Sequence, residues 1–451
     1  VPPILALFLT IGFIVYSFRR DNRESPNTSS ALWLPFLWVT ISGSRFVSEW
    51  LAIIGLSGGG STIEEGSPID AIFFFAIIFL GVRVLLRRNV SLQSFVQQNR
   101  WVAIYLGYCL LSVIWSEYPL VAFKRWIKIF GQPVMVLVIL TEPNPIESLR
   151  KVFKRAIFIL IPLSVTFIKY FPEFSRGYDS WSGFATNTGV TTNKNTLGVF
   201  CMVSGLVFFW DALQIIQDKR GKDRWKDLIF VTIYFCLIIW TLSMAQSATS
   251  LATMVLGMAI ILLLGRPWVN PRKIGTYLLI IVPVLLVLHF GVGFTDFIYE
   301  LLGRNTTLTG RTEIWEKLLS THENPILGYG FESFWLGDRR WGLARSMGFI
   351  FELNSAHNGY LETYMNLGVV GLILTCAMIL SAFRKCQRDL LVNFNFARFR
   401  IAYLIAFLIY NWTEAGFRTH VPHFFLFFAI AIDYSNGSEG TNAVNARNRI
   451  N

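Results

Sequence analysis

Charge is scarce in this sequence: Asp, Glu, Lys and Arg make up 15% of its 451 residues, against 53% hydrophobic and 16% aromatic. An ordinary soluble domain carries about 25% charged residues, so the shortage excludes a soluble globular fold. Cysteine is sparse as well. The five present (Cys109, Cys201, Cys236, Cys376 and Cys386) lie in or beside apolar runs without CxxC spacing, which excludes a zinc ribbon or a disulfide framework and leaves them as packing residues. There is no Walker-type glycine loop and no internal repeat, so chemistry driven directly by ATP and repeat architectures are set aside. The chain opens at Val1 with neither a methionine nor a basic leader, and its start therefore does not read as a cleaved signal peptide.

What is present instead is apolar sequence in runs of about 17 to 20 residues, the length an α-helix needs to cross a ~30 Å hydrocarbon core. The spacing predicts spans at 2–18, 31–45, 69–86, 101–116, 126–140, 155–170, 196–213, 227–243, 249–265, 275–293, 365–383, 401–412 and 421–434. The expected fold is all-α: a polytopic transmembrane helical bundle of about 12 to 13 spans with one large extracytoplasmic helical loop. Residues 1–293 form the first set of spans, 294–364 the large loop, 365–434 the last spans, and 435–451, rich in Asn, Gly and Ser, a disordered tail.

The formal charge is +12, yet the basic residues fall in short clusters between apolar runs rather than on one face, which argues against nucleic acid and for membrane orientation. The clusters around Arg19/Arg20/Arg23, Arg83/Arg87/Arg88, Arg150/Lys151/Lys154/Arg155, Lys219 to Lys226, Arg266/Arg272/Lys273 and Arg384 to Arg400 occupy alternate loops. They assign those loops to the cytoplasm and the large loop to the outward side of the membrane.

The large loop is too long to be a simple connection and too rich in aromatics to be disordered. Ile314, Leu318 and Leu319 predict a short amphipathic helix after Thr309-Gly310-Arg311. Its far end reads Asn354-Ser355-Ala356-His357-Asn358-Gly359-Tyr360-Leu361-Glu362. Ser355 is expected to cap a helix on which His357, Tyr360 and Tyr364 share a face. An imidazole there could take a proton from a hydroxyl near neutral pH.

Thr309-Gly310-Arg311 with Trp315, Pro325 with Gly328-Tyr329-Gly330, and Ala356-His357-Asn358 followed after nine residues by Gly368-Val369-Val370-Gly371 resemble the O-antigen ligase and Wzy-type polysaccharide polymerase superfamily. Thr192-Asn193-Lys194-Asn195-Thr196-Leu197-Gly198 and Asn411-Trp412-Thr413-Glu414 are similar to its exopolysaccharide-polymerase branch. The resemblance covers most of the second half of the chain; the first half matches by hydropathy alone.

The resemblance implies transfer of a glycan from an undecaprenyl-diphosphate donor to an acceptor hydroxyl on a glycan or lipid, outside the cytoplasmic membrane and without metal or other cofactor. A chain-length regulator is a candidate protein partner. On that expectation His357 is the base and Arg311 binds the diphosphate, with Lys194 and Arg176 as further cations. Asn358, Asn195, Asn411 and Glu414 orient the acceptor or the histidine. One departure stands out: the family commonly carries Ser-Arg-Thr or Ser-Lys-Thr at the outward end of a middle helix, and here Ala248 in Ser247-Ala248-Thr249-Ser250 takes the cation's place. Lys194, Arg176 or Lys124/Arg125 are the candidates to replace it.

Each of these residues also has a plainer role. A histidine at a membrane boundary can be a packing residue, Arg311 can anchor its loop to headgroups, Trp315, Trp335 and Trp341 can form an interfacial belt, and Gly368 and Gly371 can permit close helix packing. Glu414 is harder to assign to packing, because an ionisable group at membrane depth is costly. Polymerisation of repeat units leads the functional reading. Ligation to lipid A core or another terminal acceptor is the alternative, and a lipid-linked saccharide transporter is the competing class.

Overall fold

The computed structural model describes residues 1–24, 28–56, 66–178, 183–218, 222–277, 311–321, 324–419 and 421–434. The expected span at 275–293, most of the loop before Arg311 including Thr309-Gly310, the tail after Tyr434, and His289, His322 and His420 lie outside them.

Within the described residues the chain is a helical bundle with one two-stranded hairpin. In chain order the helices are α1 (Pro3–Glu24), α2 (Trp33–Ser42), α3 (Val47–Ile53), α4 (Pro68–Arg87), α5 (Leu92–Gln98), α6 (Arg100–Leu111), α7 (Pro119–Leu140), α8 (Pro145–Tyr170), α9 (Pro172–Ser175), α10 (Lys194–Asp218), α11 (Lys222–Ala245), α12 (Ala248–Leu264), α13 (Arg311–Ser320), α14 (Arg339–Ser346), α15 (Gly359–Asp389), α16 (Phe394–Thr413) and α17 (Pro422–Ala431). Strands β1 (Arg176–Tyr178) and β2 (Ala185–Asn187) pair antiparallel, with Arg176 opposite Asn187. Proline opens α4, α7, α8 and α17. At that position the missing N–H costs no hydrogen bond and the fixed φ favours the first turn.

Every span expected within the described residues coincides with a helix. Five of these helices, at Pro3–Glu24, Pro68–Arg87, Lys194–Gln217, Arg224–Ala245 and Gly359–Asp389, are long and apolar enough to cross a membrane, making this a multi-pass membrane protein. The shorter apolar helices are packed among them. α17 is buried along its whole length; its ten residues rise about 15 Å, half of a bilayer core, and it fills the bundle rather than spanning it alone. Phe407 of α16 stacks 5.0 Å from Phe427 of α17, and α16 in turn packs on α12 and α15.

The basic clusters do more than face a membrane surface. At their end of the bundle Arg155 Nε lies 2.8 Å from Asp21, Lys154 Nζ 2.9 Å from Asp211, and Arg400 Nη2 3.0 Å from Asp433, while Arg88 pairs with Glu142. The first two pairs join α8 to α1 and to α10, and the others tie Arg400 of α16 to the residues after α17 and the end of α4 to the turn after α7, so the basic clusters also clasp the bundle.

At the opposite end, the site end, α15 is interrupted at Gly368 (φ +63°, ψ −165°). A break in a helix frees backbone groups that lipid cannot satisfy. Here the 325–330 segment supplies partners: Tyr329 N donates to Met365 O (3.1 Å), Gly330 N to Asn366 O (2.8 Å), and Val369 N to Pro325 O (2.8 Å). A Cβ on Gly368 would collide with the Ile326 carbonyl, and one on Gly328 (φ +72°) with the backbone of Asn366 and Leu367. Gly368 therefore permits a loop-to-helix backbone junction, not the helix-to-helix contact expected from its spacing. Gly368→Ala is expected to destabilise the protein by roughly 1–3 kcal/mol through backbone strain alone, with the collision adding to it. A thermal melt in detergent matching wild type would remove this account of the junction.

Candidate functional site

Five chain segments converge at the site end. Arg311 begins α13, Lys194 and Asn195 begin α10, and Ser247 to Ser250 begin α12. Glu414 directly follows α16, and residues 354–358 lead into α15. The tight fit of these elements is set by small residues: a Cβ on Gly198 would strike Ser247 and Ser250, and one on Gly359 would strike Asn411.

The segment before α15 is held at each residue. Ser355 Oγ accepts the His357 N–H at 3.0 Å. Ala356 O accepts from Trp315 Nε1 at 2.7 Å, and Ala356 N donates to Glu362 Oε1 at 2.7 Å. Asn358 Oδ1 accepts the N–H groups of Tyr360 and Leu361, both at 3.0 Å. The helix cap is therefore Asn358, not Ser355, because an Asx side chain one residue before the first helical position reaches the orphan amides of the first turn. His357 is consequently outside the helix and does not share a helical face with Tyr360 and Tyr364. It adopts φ +50°, a left-handed conformation that non-glycine residues seldom occupy and that surrounding contacts must enforce.

Glu414 organises the cluster. Its Oε1 lies 2.8 Å from Arg311 Nη2, and its Oε2 lies 3.4 Å from His357 Nδ1 and 3.2 Å from Asn195 Nδ2. Its backbone O accepts from Gly359 N at 3.1 Å, and the neighbouring Thr413 O accepts from Arg311 Nη1. Asn411 secures the turn that presents it, donating to Phe407 O at 2.8 Å and accepting from Gly416 N at 2.9 Å. Thr413 Oγ1 sits 3.0 Å from Thr249 Oγ1, which brings the Ala248 segment alongside the same turn.

The Glu414 side chain is 9% exposed and that of His357 is 25% exposed, so the carboxylate is enclosed while the imidazole reaches an open face. Burial alone would raise the Glu414 pKa; the hydrogen bond from His357 and the Arg311 and His357 charges outweigh it and pull the value down to about 2. The carboxylate thus stays ionised, and with a proton on Nδ1 the imidazole can donate to it, leaving Nε2 as an acceptor.

The remaining residues expected at the site divide. Asn195 and Asn411 join the cluster directly and Asn358 builds its frame. Lys194 is adjacent to Asn195, partly exposed, and engaged in contacts of its own. Arg176 is exposed on β1. Its hairpin is tied to α11 by Asn187 Nδ2 donating to Met244 O at 3.2 Å, and among the described residues no hydrogen bond or ion pair joins Arg176 to Glu414, Arg311 or His357. Trp315 and Trp335 pin the loop through their indole N–H groups, to Ala356 O and to Glu362 at 2.8 Å, a role that a belt assignment does not include. His423 is buried against Phe407 and Tyr410.

Glu362 is the residue that motif reading left without a role. It accepts from Trp335, Ala356 and Arg418 together; an acid near the head of an otherwise apolar helix was the available signal.

The profile of a family described as O-antigen ligase matches residues 233–376. The chain is 24% identical over 352 residues to the exopolysaccharide production protein ExoQ of Rhizobium meliloti, covering 73% of this chain and 75% of that protein. It is 22% identical over 365 residues to a Rickettsia felis protein named "Putative polysaccharide ligase", covering 74% of this chain and 82% of the other. A Haemophilus influenzae protein of unstated function is 25% identical over 245 residues, 51% of this chain and 59% of its own length.

Removing the Glu414 carboxylate should leave Arg311 buried without a counter-charge, a change that typically costs about 3–5 kcal/mol. Glu414→Gln is therefore expected to melt well below wild type at neutral pH. The folded-state pKa lies below the ordinary 4.5, so the stabilisation is full above that value and is lost as pH falls towards about 2. The gap between the two melting temperatures should narrow over that acid range; a gap independent of pH would show that the ionised carboxylate is not its source.

Proposed function

We propose that this chain, which matches an O-antigen ligase family model over residues 233–376 and is similar to an exopolysaccharide production protein and to a protein named as a polysaccharide ligase, transfers a polyprenyl-diphosphate-linked glycan to an acceptor hydroxyl on the outer side of the cytoplasmic membrane, polymerising exopolysaccharide or O-antigen repeat units. The observation that carries this reading is one ionised carboxylate, Glu414, bridging a guanidinium and an imidazole at the mouth of a helical bundle.

Glu414 holds the His357 ring through Nδ1 so that Nε2 can take the acceptor hydroxyl proton, the division of labour found wherever a carboxylate orients a catalytic histidine. The oxygen so activated attacks the anomeric carbon of the donor sugar, and the bond from that carbon to the diphosphate oxygen breaks. Polyprenyl diphosphate leaves with the bonding electrons. Among the described residues two of the five guanidinium N–H donors of Arg311 are committed, to Thr413 and Glu414; the other three are of the right kind to stabilise the departing diphosphate. Asn195 restrains the carboxylate, and Asn358 and Asn411 keep the two backbone turns in register. Lys194 supplies the second cation that Ala248 lacks, with Arg176 of the hairpin as the other candidate. The diphosphate leaving group carries the driving force, so no nucleotide has a place in the scheme.

Likeness over nearly three quarters of the chain to a protein named for exopolysaccharide production favours the building of a polysaccharide, and hence polymerisation. Ligation to a terminal acceptor shares every step up to the identity of the hydroxyl, and the family description keeps it as the second reading. A transporter for the same lipid-linked saccharide is disfavoured because the polar groups gather at one end rather than at mid-bilayer.

Purified protein given a short undecaprenyl-diphosphate oligosaccharide alone should yield a ladder of lengthened lipid-linked products. His357→Ala should slow it by about 10²–10⁴-fold, the usual contribution of a general base. Product that appears only when a second acceptor is added would identify a ligase, and undiminished product from His357→Ala would refute the base.

A further inference from the structure

A cavity of about 750 Å³ opens at the site end between α4, α7 and the 331–335 and 417–419 segments, and none of Arg311, Glu414 or His357 lines it. Its mouth is apolar: Ile72 and Phe75 of α4 line it and are exposed on the flank of a membrane-length helix. Its interior is ionic. Lys124, Arg125 and Lys128 enter from α7, with Arg340 from α14 and Arg418 from the segment after α16; Lys124 and Lys128, four residues apart, share one helical face.

The acids that line the same cavity already have their hydrogen-bond partners. Asp70 accepts from the Ser48 amide and hydroxyl at 2.9 and 2.5 Å, and Glu49 from Phe46 N at 2.8 Å. Glu332 accepts from Thr419 N and Oγ1 at 2.8 and 2.9 Å, and Glu362 from Trp335, Ala356 and Arg418. Arg125 donates to the Glu332 carbonyl and Arg418 to Asn354 O and Glu362, but two of the other cations are less well served. Among the described residues no hydrogen bond or ion pair reaches Lys128 Nζ, which lies 5.1 and 5.2 Å from the ring centroids of Phe46 and Phe74. Arg340 Nε is buried without a hydrogen-bond partner among the described residues, although its Nη1 lies 3.2 Å from Glu352. Phenyl faces hold an ammonium in place without accepting its N–H bonds. What the cavity lacks is therefore a strong acceptor, a multiply charged anion, and its mouth admits one that arrives on a hydrocarbon chain.

We propose that this cavity binds the diphosphate end of a second polyprenyl-linked substrate, the acceptor, at a site separate from the Arg311–Glu414–His357 cluster. The assignment rests on the glycan-transfer reading above. The two sites share a wall: Asn354 and Glu362 line the cavity, and Glu362 accepts from Ala356, the residue before His357. An acceptor anchored in the cavity by its diphosphate would extend its glycan along that wall towards the imidazole, while the donor diphosphate stays with Arg311. A polymerase needs two lipid-diphosphate sites because both of its substrates carry that group.

Native mass spectrometry of the full chain, titrated with undecaprenyl diphosphate bearing no glycan, counts the bound molecules directly. Wild type should hold two per chain, Lys128→Met one, and Lys128→Arg two, the last showing that charge rather than shape is required. Ala71→Trp, which narrows the mouth, should also hold one. A single molecule in wild type, or a count unchanged by Lys128→Met, would overturn the proposal. Displacement of the Lys128-dependent molecule by equimolar phosphatidylglycerol would also overturn it, identifying a phospholipid headgroup site. Because the readout is binding, it stands or falls separately from the base assignment, which the product ladder of His357→Ala decides.

Discussion

The enclosed carboxylate of Glu414 is the constraint on which the site end depends. Arg311 opens α13, Asn195 opens α10, and His357 stands before α15; these elements are far apart in sequence, and the side chain following α16 joins them. Removing a carboxylate from water is costly unless charge and hydrogen bonds compensate, so α13 and the 354–358 segment must be in place for Glu414 to be buried at all. The dependence is mutual. Arg311, 10% exposed, would be equally costly without Glu414, and the left-handed backbone of His357 requires an environment that over-determines it. The geometry of the candidate site and local folding are thus one set of interactions.

A second dependence runs through the broken helix. α15 could have run straight through its apolar sequence, yet Gly368 interrupts it and the 325–330 segment closes the gap with its own backbone. That junction fixes the large loop to a membrane helix by main-chain bonds, which do not depend on side-chain identity. Asn366 Oδ1 then accepts from Phe334 N at 3.0 Å and Glu362 from Trp335 Nε1, so the first turns of α15 carry the loop on one side and lead back to His357 on the other. The site's rigidity comes from a helix that is half membrane span and half loop scaffold.

Periodicity and apolar length were enough to place the helices, because in a bilayer the requirement for internal backbone hydrogen bonds leaves little choice of structure. The motifs were enough to name Arg311, His357, Asn195 and Glu414. What they could not supply was the connection between them: that Glu414 bonds both Arg311 and His357 is a tertiary fact with no local signature. The placement of His357 was misjudged for a related reason. Ser355 and Asn358 are both good caps, and the choice of Asn358 follows from Ser355 being occupied by the His357 amide. Lys128 gave no signal in the sequence, since a lone lysine inside an apolar run looks like an interfacial residue until Phe46 and Phe74 are seen around it.

The two ends of the bundle treat cations in different ways, and the difference follows from what each end must do. At the basic end, Arg155, Lys154 and Arg400 meet carboxylates from other segments, and charges neutralised in this way tighten the bundle and leave little for a ligand to bind. At the site end the acids are largely used by amide and hydroxyl donors, so that among the described residues Lys128 and Arg340 retain unmet hydrogen-bonding capacity. Arg311 stands between the two regimes: among the described residues two of its donors are committed and three are not. A fully satisfied network would be more stable but would offer nothing to an incoming anion, and a wholly unpaired guanidinium would be costly in a helical bundle. Sharing Glu414 between a cation and an imidazole meets both requirements, because the same carboxylate that makes burial tolerable leaves Arg311 charged and His357 oriented.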